Sequence, residues 1–281
     1  IEASNKINFK VTLPALLIQD MVNNNFMEKF ELGYVIFCAV ATTISILTMW
    51  FLARIFMKDK SMVGAFTQAS ARGSAAVLGI AFVQNIYGNS GMAPLMIIGS
   101  VPLYNVMAVI VLSFTKPGQN GMSPALIKKT LKGIITNPII LGILSGALWS
   151  VLQLPMPTIL SKTVSSLGGL TTPLGLMAMG AAFNWSEAKS GMGPAFAASF
   201  MKLIGLCTLF LPVAVLLGFR EAELIAILVM LGSSTTVSSY VMARNMGHSG
   251  VLSSSIVAIT TLGSAFSLTF WLYVLKTLAL I

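Results

Sequence analysis

Apolar side chains occur along this chain in long blocks, and polar residues fall mainly in the short stretches between them. A window of about 20 mostly apolar residues can cross the hydrocarbon core of a bilayer as a helix, which satisfies its own backbone hydrogen bonds there. Most connections are only a few residues long, so no separate soluble domain fits between the windows. The pattern predicts nine membrane spans, over residues 9–26, 32–56, 67–87, 92–114, 133–154, 158–182, 194–217, 222–246 and 252–276.

Composition supports the same class of protein. Of the 281 residues, 56% are hydrophobic and 9% are charged, whereas soluble domains carry roughly 25% charged residues. The chain is therefore predicted to be an all-α integral membrane protein. Cys38 and Cys207 both lie inside apolar windows, where packing is a better explanation than a disulfide or a metal site.

The formal net charge of +9 is distributed unevenly across the predicted topology. Connections on one side hold eleven basic residues, whereas the other side holds only Lys29, Arg220 and Lys276. This bias places the richer side in the cytoplasm and explains the basic balance without a nucleic-acid partner. We expect a multi-pass plasma-membrane protein whose visible N-terminus is cytoplasmic and whose C-terminus is outside. The eleven residues are Lys6, Lys10, Arg54, Lys58, Lys60, Lys116, Lys128, Lys129, Lys132, Lys189 and Arg244.

The chain also resembles itself at a shift of 159 residues, which pairs Pro14 with Pro173 and Gly73-Ser74 with Gly232-Ser233. The second copy begins near residue 133 and has five predicted spans, whereas the first shows four. We therefore expect ten spans, with the first preceding Ile1. An odd number of spans per copy inserts the two copies in opposite orientations, as in many secondary transporters. The predicted organisation is a first inverted repeat lacking its first helix (1–114), a cytoplasmic linker (115–132) and a second inverted repeat (133–281).

Two spans at equivalent places in the repeats contain residues that are unfavourable in a lipid-facing helix. Window 67–87 contains Arg72, Gly73 and Ser74, and window 222–246 contains six hydroxyl residues between positions 233 and 239. Small and hydroxyl residues can simply allow close helix packing. Alternatively, they allow both helices to unwind beside a cavity near the bilayer midplane, where helix N-termini attract anions. Because the clusters occupy equivalent places, we favour the second interpretation.

Several stretches resemble the auxin efflux carrier family of membrane transporters, and the similarity covers essentially the whole chain. The stretches "VLGIAFVQNIYG" (77–88) and "TTVSSYVMARNMG" (235–247) resemble the two crossing regions of that family. "TNPIILGILSG" (136–146) resembles its sixth helix, and "LPALLIQDMV" (13–22) resembles its second. The resemblance implies inverted five-helix repeats with crossed discontinuous helices, as in bile-acid symporters and sodium–proton antiporters. It also implies transport of organic anions such as malate, malonate or auxin.

The chain departs from the family pattern at the crossings. Ala81 stands where the family usually has proline, Ser74 where an asparagine is frequent, and Ser234 and Ser239 at other family proline positions. The helix breaks are therefore expected at Gly79 and in the hydroxyl cluster. The predicted substrate-binding residues are Ser74, Gly79, Ile80, Ala81, Ser233, Ser234, Thr235, Val237, Ser238 and Ser239.

Charged residues inside spans are costly and therefore candidates for function. Lys202 lies well inside window 194–217 and is predicted to attract an anionic substrate or to neutralise a helix dipole. Arg72 opens the first crossing and has a comparable predicted role, although snorkelling to the interface is the simpler explanation for it and for Lys162. Asp20 lies nearer a span end. Neither crossing contains a carboxylate, which disfavours an Asp or Glu relay for protons or sodium there.

No P-loop, H-E-x-x-H motif or Cys/His cluster occurs, so the sequence predicts no enzymatic activity, cofactor or metal. The expected function is secondary active transport, as a permease or exporter, of small organic anions by alternating access with a moving crossing-helix domain. The expected partners are the anion, the lipid bilayer and, as an open option, a second copy in a homodimer. The alternatives are a sodium-coupled organic anion symporter of the bile-acid-symporter type and a non-transporting membrane sensor or channel.

Overall fold

The computed structural model describes residues 2–23, 31–89, 91–117 and 124–281. It is 82% helical, and its described residues contain no strand. Sixteen α-helices follow one another along the described chain. They are α1 Glu2–Ile7, α2 Leu13–Asn23, α3 Leu32–Phe56, α4 Val63–Ala71, α5 Ala75–Tyr87, α6 Ala93–Phe114, α7 Pro124–Ile135, α8 Pro138–Val151, α9 Thr158–Gly169, α10 Thr171–Ala181, α11 Trp185–Ser190, α12 Met192–Phe200, α13 Leu206–Leu216, α14 Glu221–Gly232, α15 Ser238–Asn245 and α16 Val251–Thr277.

Four continuous helical stretches among the described residues are long and apolar enough to cross a bilayer. These are α3, α6, the stretch Met192–Leu216 and α16. Met192–Leu216 joins α12 to α13 through a π-helical turn, Met201–Gly205. Many large apolar side chains on these helices point outward, including Phe51 (64% exposed) and Phe266 (80% exposed). Outward apolar side chains along membrane-length helices are expected where the surrounding solvent is lipid, so the chain is an all-α integral membrane protein.

The remaining predicted windows are built from shorter helices. Window 67–87 divides into α4 and α5, and window 222–246 divides into α14 and α15. Window 158–182 is interrupted at Leu170 between α9 and α10. Window 9–26, of which residues 24–26 lie outside the described residues, corresponds as far as residue 23 to a helix that starts at Glu2, passes through a π-helical turn at Asn8–Thr12 and continues as α2.

The predicted linker 115–132 is partly helical. Helix α7 begins at Pro124, inside the linker, and packs against α6 and α8. Lys128 and Lys132 on this helix are exposed. The chain turns at Thr136 and Asn137, where the Asn137 side chain accepts a hydrogen bond from the Ile139 amide and caps α8.

The helices pack in two groups. In one, α2 lies between α8 and α9, and the backbone of α2 at Pro14 and Ile18 approaches Gly142 and Gly146 of α8 closely. In the other, α3 packs on α4 and α6, α5 packs on α6 and α14, and α16 packs on α12 and α14. The broken helices belong to the second group, and they meet α2 and α10 across a cavity.

Candidate functional site

The first helix break spans Arg72, Gly73 and Ser74, between α4 and α5. Gly73 is required by a close approach of backbones. A Cβ atom at this position would lie 2.5 Å from the Met230 carbonyl oxygen and 2.9 Å from Ser233 Oγ. The break therefore sits directly against the end of α14.

The expected position of this break was wrong. Helix α5 runs without interruption from Ala75 to Tyr87, so Gly79, Ile80 and Ala81 are helical. Gly79 instead allows close packing, because a Cβ there would meet Met96 Cε of α6 at 2.6 Å. A single glycine in an apolar helix does not break it when neighbouring helices pack around it. None of the three residues lines the cavity described below.

The second break runs from Ser233 to Val237, between α14 and α15, within the hydroxyl cluster. The two breaks are hydrogen-bonded to each other. The Ser74 amide donates to Ser233 Oγ (2.9 Å) and to the Ser234 carbonyl (3.0 Å). Ser74 and Ser233 also align with each other at the 159-residue shift described above.

Side chains cap the C-terminal ends of α4 and α14, the two helices that precede the breaks. At the end of α4, the Thr235 hydroxyl donates to the Ala69 carbonyl (2.6 Å). At the end of α14, Lys202 Nζ donates to the carbonyls of Met230 (3.2 Å) and Leu231, and the Tyr104 hydroxyl also donates to Met230 (3.1 Å). Terminal carbonyls of a helix need such partners because they have none inside the helix.

The N-terminal ends of α5 and α15 face a cavity of about 290 Å³. Ala75 and Ala76 of the first turn of α5 line it, as do Val237 and Ser238 at the start of α15. First-turn amides of a helix lack intrahelical acceptors and carry the positive end of the helix dipole. Two such ends directed at one cavity make it favourable for an anion.

Arg72 adds a full positive charge to this cavity. Its side chain is only 5% exposed, lines the cavity and is held from two directions. One guanidinium nitrogen donates to Asn105 Oδ1 of α6 (2.7 Å), and the other contacts Met242 Sδ of α15 (3.0 Å). Asn105 is itself fixed by donating to the Val101 carbonyl (2.9 Å). The guanidinium is thus oriented inside the protein and does not reach the lipid interface.

The predicted residues fall into three groups by position. Ser74, Ser234, Thr235, Val237 and Ser238 line the cavity. Ser233 and Ser239 are fully buried behind it, and Ser239 interacts through its carbonyl, which accepts a hydrogen bond from Gln68 Nε2 (2.7 Å). Lys202 is also fully buried and lies at the end of α14, outside the cavity lining.

Most of the residues that line the cavity were not among the predicted substrate-binding residues, and several of these are polar. Asp20 comes from α2, Asn105 from α6 and Thr236 from the second break. Thr236 Oγ1 is buried and has no hydrogen-bond partner among the described residues, so it is available to a ligand. Only the charge of Asp20 in an apolar helix gave a sequence signal.

A larger groove of about 680 Å³ lies elsewhere, between the end of α3, the start of α4 and α12. Its lining is mainly apolar, including Met49, Phe66 and Ala197, with Lys58 and Asp59 among the few polar residues. Ligand sites combine an apolar wall with a few convergent polar groups. The smaller cavity between the breaks meets that description, because Arg72, Asn105 and the hydroxyls converge there.

An all-α membrane protein with two interrupted helices around a cavity in which polar groups converge has the architecture of membrane transport proteins. A family model described as membrane transport protein matches residues 2–272 of this chain. The chain therefore belongs to this family, the auxin efflux carrier family of membrane transporters, which is a transport family and not an enzyme family. No curated protein matches the chain in a sequence search.

Proposed function

We propose that this membrane transporter is a secondary carrier of small organic anions, such as dicarboxylates or auxin-like carboxylates. The observation that carries the proposal is the convergence of Arg72 with the N-terminal ends of α5 and α15 on one cavity. The cavity volume of about 290 Å³ is at the lower end of the range of roughly 300–1,000 Å³ typical of ligand pockets. A small substrate with one or two carboxylates suits that size and charge.

The carboxylate is held by three kinds of donor. Arg72 offers a charge-assisted, bidentate hydrogen bond, which is the geometry that guanidinium groups give to carboxylates. Further donors are the first-turn amides of α5 and the Ser238 amide of α15. The next two amides of α15, those of Ser239 and Tyr240, already donate to backbone carbonyls. The hydroxyls of Thr236 and Ser238 complete the set from the second break. The apolar residues Leu13, Leu17 and Leu176 face the rest of the substrate from α2 and α10.

The position of the cavity between two helix groups supports a mechanism of alternating access. The broken helices and α6 form one wall, and α2 with α10 forms the opposite wall. We propose that α3–α6 and α11–α16 form the moving domain and that α2 and α8–α10 form the fixed domain. We further propose that residues 1–114 and 133–281 are inverted repeats, which is supported by the same order of α4–α6 and α14–α16 around the two breaks. The proposed location is the plasma membrane, with the described N-terminus cytoplasmic.

Export of an anion needs no coupling ion. A membrane potential that is negative inside favours the outward movement of one negative charge by about 2.3 kcal/mol per 100 mV. This corresponds to a roughly 50-fold concentration ratio across the membrane.

A proton-coupled form of the same carrier is the second candidate, and Asp20 is the observation that favours it. Asp20 lines the cavity together with Arg72, so a carboxyl group lies in the proposed substrate cavity. Carboxyl groups inside membranes serve as proton carriers in many transporters. The two candidates differ in a direct test, because Asp20→Asn abolishes pH-gradient-driven flux in the coupled form and preserves potential-driven flux in the uncoupled form.

The experiment is flux of radiolabelled malate and malonate in proteoliposomes containing the purified protein. The membrane potential is imposed with potassium and valinomycin, and sodium is replaced by N-methylglucamine. Potential-driven flux that is lost in Arg72→Gln and retained in Arg54→Gln supports the proposed function. Arg54 is the matched control because it is exposed at the end of α3. Absence of flux for every carboxylate tested, or ion currents of channel size, refutes the proposal.

A further inference from the structure

Lys202 is the one residue with a predicted charge role that the proposed anion site does not use. It lies on the π-helical turn Met201–Gly205, and none of its surface is exposed. The turn is held by Trp271, whose indole nitrogen donates to the Leu203 carbonyl (3.1 Å). A π-helical turn inside an α-helix frequently marks a functional position. Here it carries Lys202, whose ammonium group reaches the neighbouring helix α14.

The ammonium group occupies a site built from backbone carbonyls. Nζ donates to the carbonyls of Met230 and Leu231, in the last turn of α14. The ammonium group is enclosed by protein, because Lys202 has no exposed surface and a Cβ atom on Gly73 would lie 3.0 Å from Nζ. A lysine at a helix C-terminus is favourable because the dipole is negative there. In secondary transporters, the same kind of half-helix end coordinates sodium or protons.

The first break shows that a cation is not needed merely to end a half-helix. At the end of α4, the neutral hydroxyl of Thr235 caps the Ala69 carbonyl. At the end of α14, the Tyr104 hydroxyl already donates to Met230. The lysine therefore supplies a positive charge in addition to hydrogen bonds, at considerable desolvation cost for a buried ammonium.

We propose that the Lys202 ammonium is a built-in replacement for a coupling cation at the end of α14. The carrier then moves its substrate without sodium, and shortening the side chain converts the carbonyls of Met230 and Leu231 into a site for a small monovalent cation. The statement about transport rests on the proposed function. The statement about the cation site does not, because binding of the cation can be measured without any transported substrate.

The binding test compares two substitutions at Lys202. Lys202→Ala leaves space beside the carbonyls, whereas Lys202→Met fills the space without charge. Thermal unfolding is measured in detergent with sodium, lithium, potassium or N-methylglucamine chloride at equal ionic strength, and with methylammonium. We expect sodium or methylammonium to raise the unfolding midpoint of Lys202→Ala by roughly 3 °C. Lys202→Met, the wild type and the exposed control Lys162→Ala should show no such selective response.

The transport test uses the same proteins in proteoliposomes. Wild-type flux should be unchanged within about two-fold when sodium is removed, and flux through Lys202→Ala should recover at least about five-fold on addition of sodium or methylammonium. A sodium requirement in the wild type overturns the proposal, even if Lys202→Ala does not fold. Equal stabilisation of Lys202→Ala and Lys202→Met, or no response of folded Lys202→Ala to any cation, also overturns it. Absence of wild-type flux together with the selective thermal response refutes the proposed function and leaves the cation site standing.

Discussion

The first helix break is three residues long and carries a guanidinium, whereas the second is five residues long and carries hydroxyls. The first requires glycine at its centre because the backbone of α14 lies against it. The second is stabilised by side-chain bonds, such as that from the Thr235 amide to Thr260 Oγ1 (3.0 Å). The two breaks lie against each other but differ in chemistry. One provides charge, and the other provides neutral donors.

Helices α4 and α14, which precede the two breaks, also differ in the residues that cap their C-terminal ends. A threonine caps α4, and a lysine with a tyrosine caps α14. Their partner helices α5 and α15 both leave their N-terminal ends facing the cavity. Positive ends thus face the cavity, and negative ends are capped by protein groups.

The largest expected effect concerns the charge of the first break. Arg72→Gln removes the cation that lines the cavity, and loss of one partner of a buried charged pair costs roughly 2–5 kcal/mol. Malate or malonate flux should fall at least about 30-fold at subsaturating substrate. The fall should not occur in Arg54→Gln, and flux within three-fold of wild type in Arg72→Gln would show that the cavity cation does not bind the anion.

The second break is tested by filling the cavity. Ser238→Leu places a larger apolar side chain where Ser238 lines the site, so flux should drop at least about ten-fold with normal membrane insertion. Insertion is checked by detergent extraction and size-exclusion chromatography. Ser186→Leu, at an exposed position of α11, is the control. Unchanged transport by Ser238→Leu would refute the assignment of this site.

The close contact between the breaks is tested by Gly73→Ala. The added Cβ would lie 2.5 Å from the Met230 carbonyl, and overpacking of this kind costs roughly 1–3 kcal/mol. The thermal midpoint should fall by about 2–10 °C. Gly180→Ala is the matched control, because nothing lies within 4 Å of a Cβ atom there. Its thermal midpoint should equal or exceed that of the wild type. Equal midpoints for the two variants would mean that the breaks are not in contact.

The smallest expected effect concerns the neutral cap of α4. Thr235→Val keeps the shape of the side chain and removes the hydroxyl that donates to the Ala69 carbonyl. The free energy of unfolding should fall by about 1–2 kcal/mol, because a buried carbonyl loses its hydrogen-bond partner. Thr208→Val, which removes an exposed hydroxyl on α13, should change the midpoint little. A larger loss in Thr208→Val than in Thr235→Val would contradict the assigned cap.

Local composition was enough to predict where the second helix is interrupted. Six hydroxyl residues compete with the backbone for hydrogen bonds, and the break falls among them. The first break was misplaced because Gly79 was expected to open the helix. In the structure, Gly79 lets α5 pack on Met96, and the chain opens at Arg72–Ser74, where α14 crosses it. That crossing is a tertiary contact, and no local pattern contains it.

The charged residues also show that tertiary contacts cannot be predicted from local sequence. The sequence marked Arg72 and Lys202 as costly and therefore as candidates for function, with snorkelling as the simpler explanation for Arg72, and it did not separate their roles. The roles depend on which helix end each side chain reaches. The cavity is also lined by Asp20 and Asn105, which belong to helices far apart in the chain. Their meeting is set by the packing of α2 and α6 around the breaks.

The measurement that tests the central claim most directly is binding of malonate to the purified protein by isothermal titration calorimetry, with wild type, Arg72→Gln and Arg54→Gln in sodium-free buffer. The account predicts saturable binding to the wild type and to Arg54→Gln, and a Kd at least about 30-fold weaker in Arg72→Gln. Equal affinity of Arg72→Gln and wild type for malonate would contradict the claim that the cavity between the two breaks holds the anion.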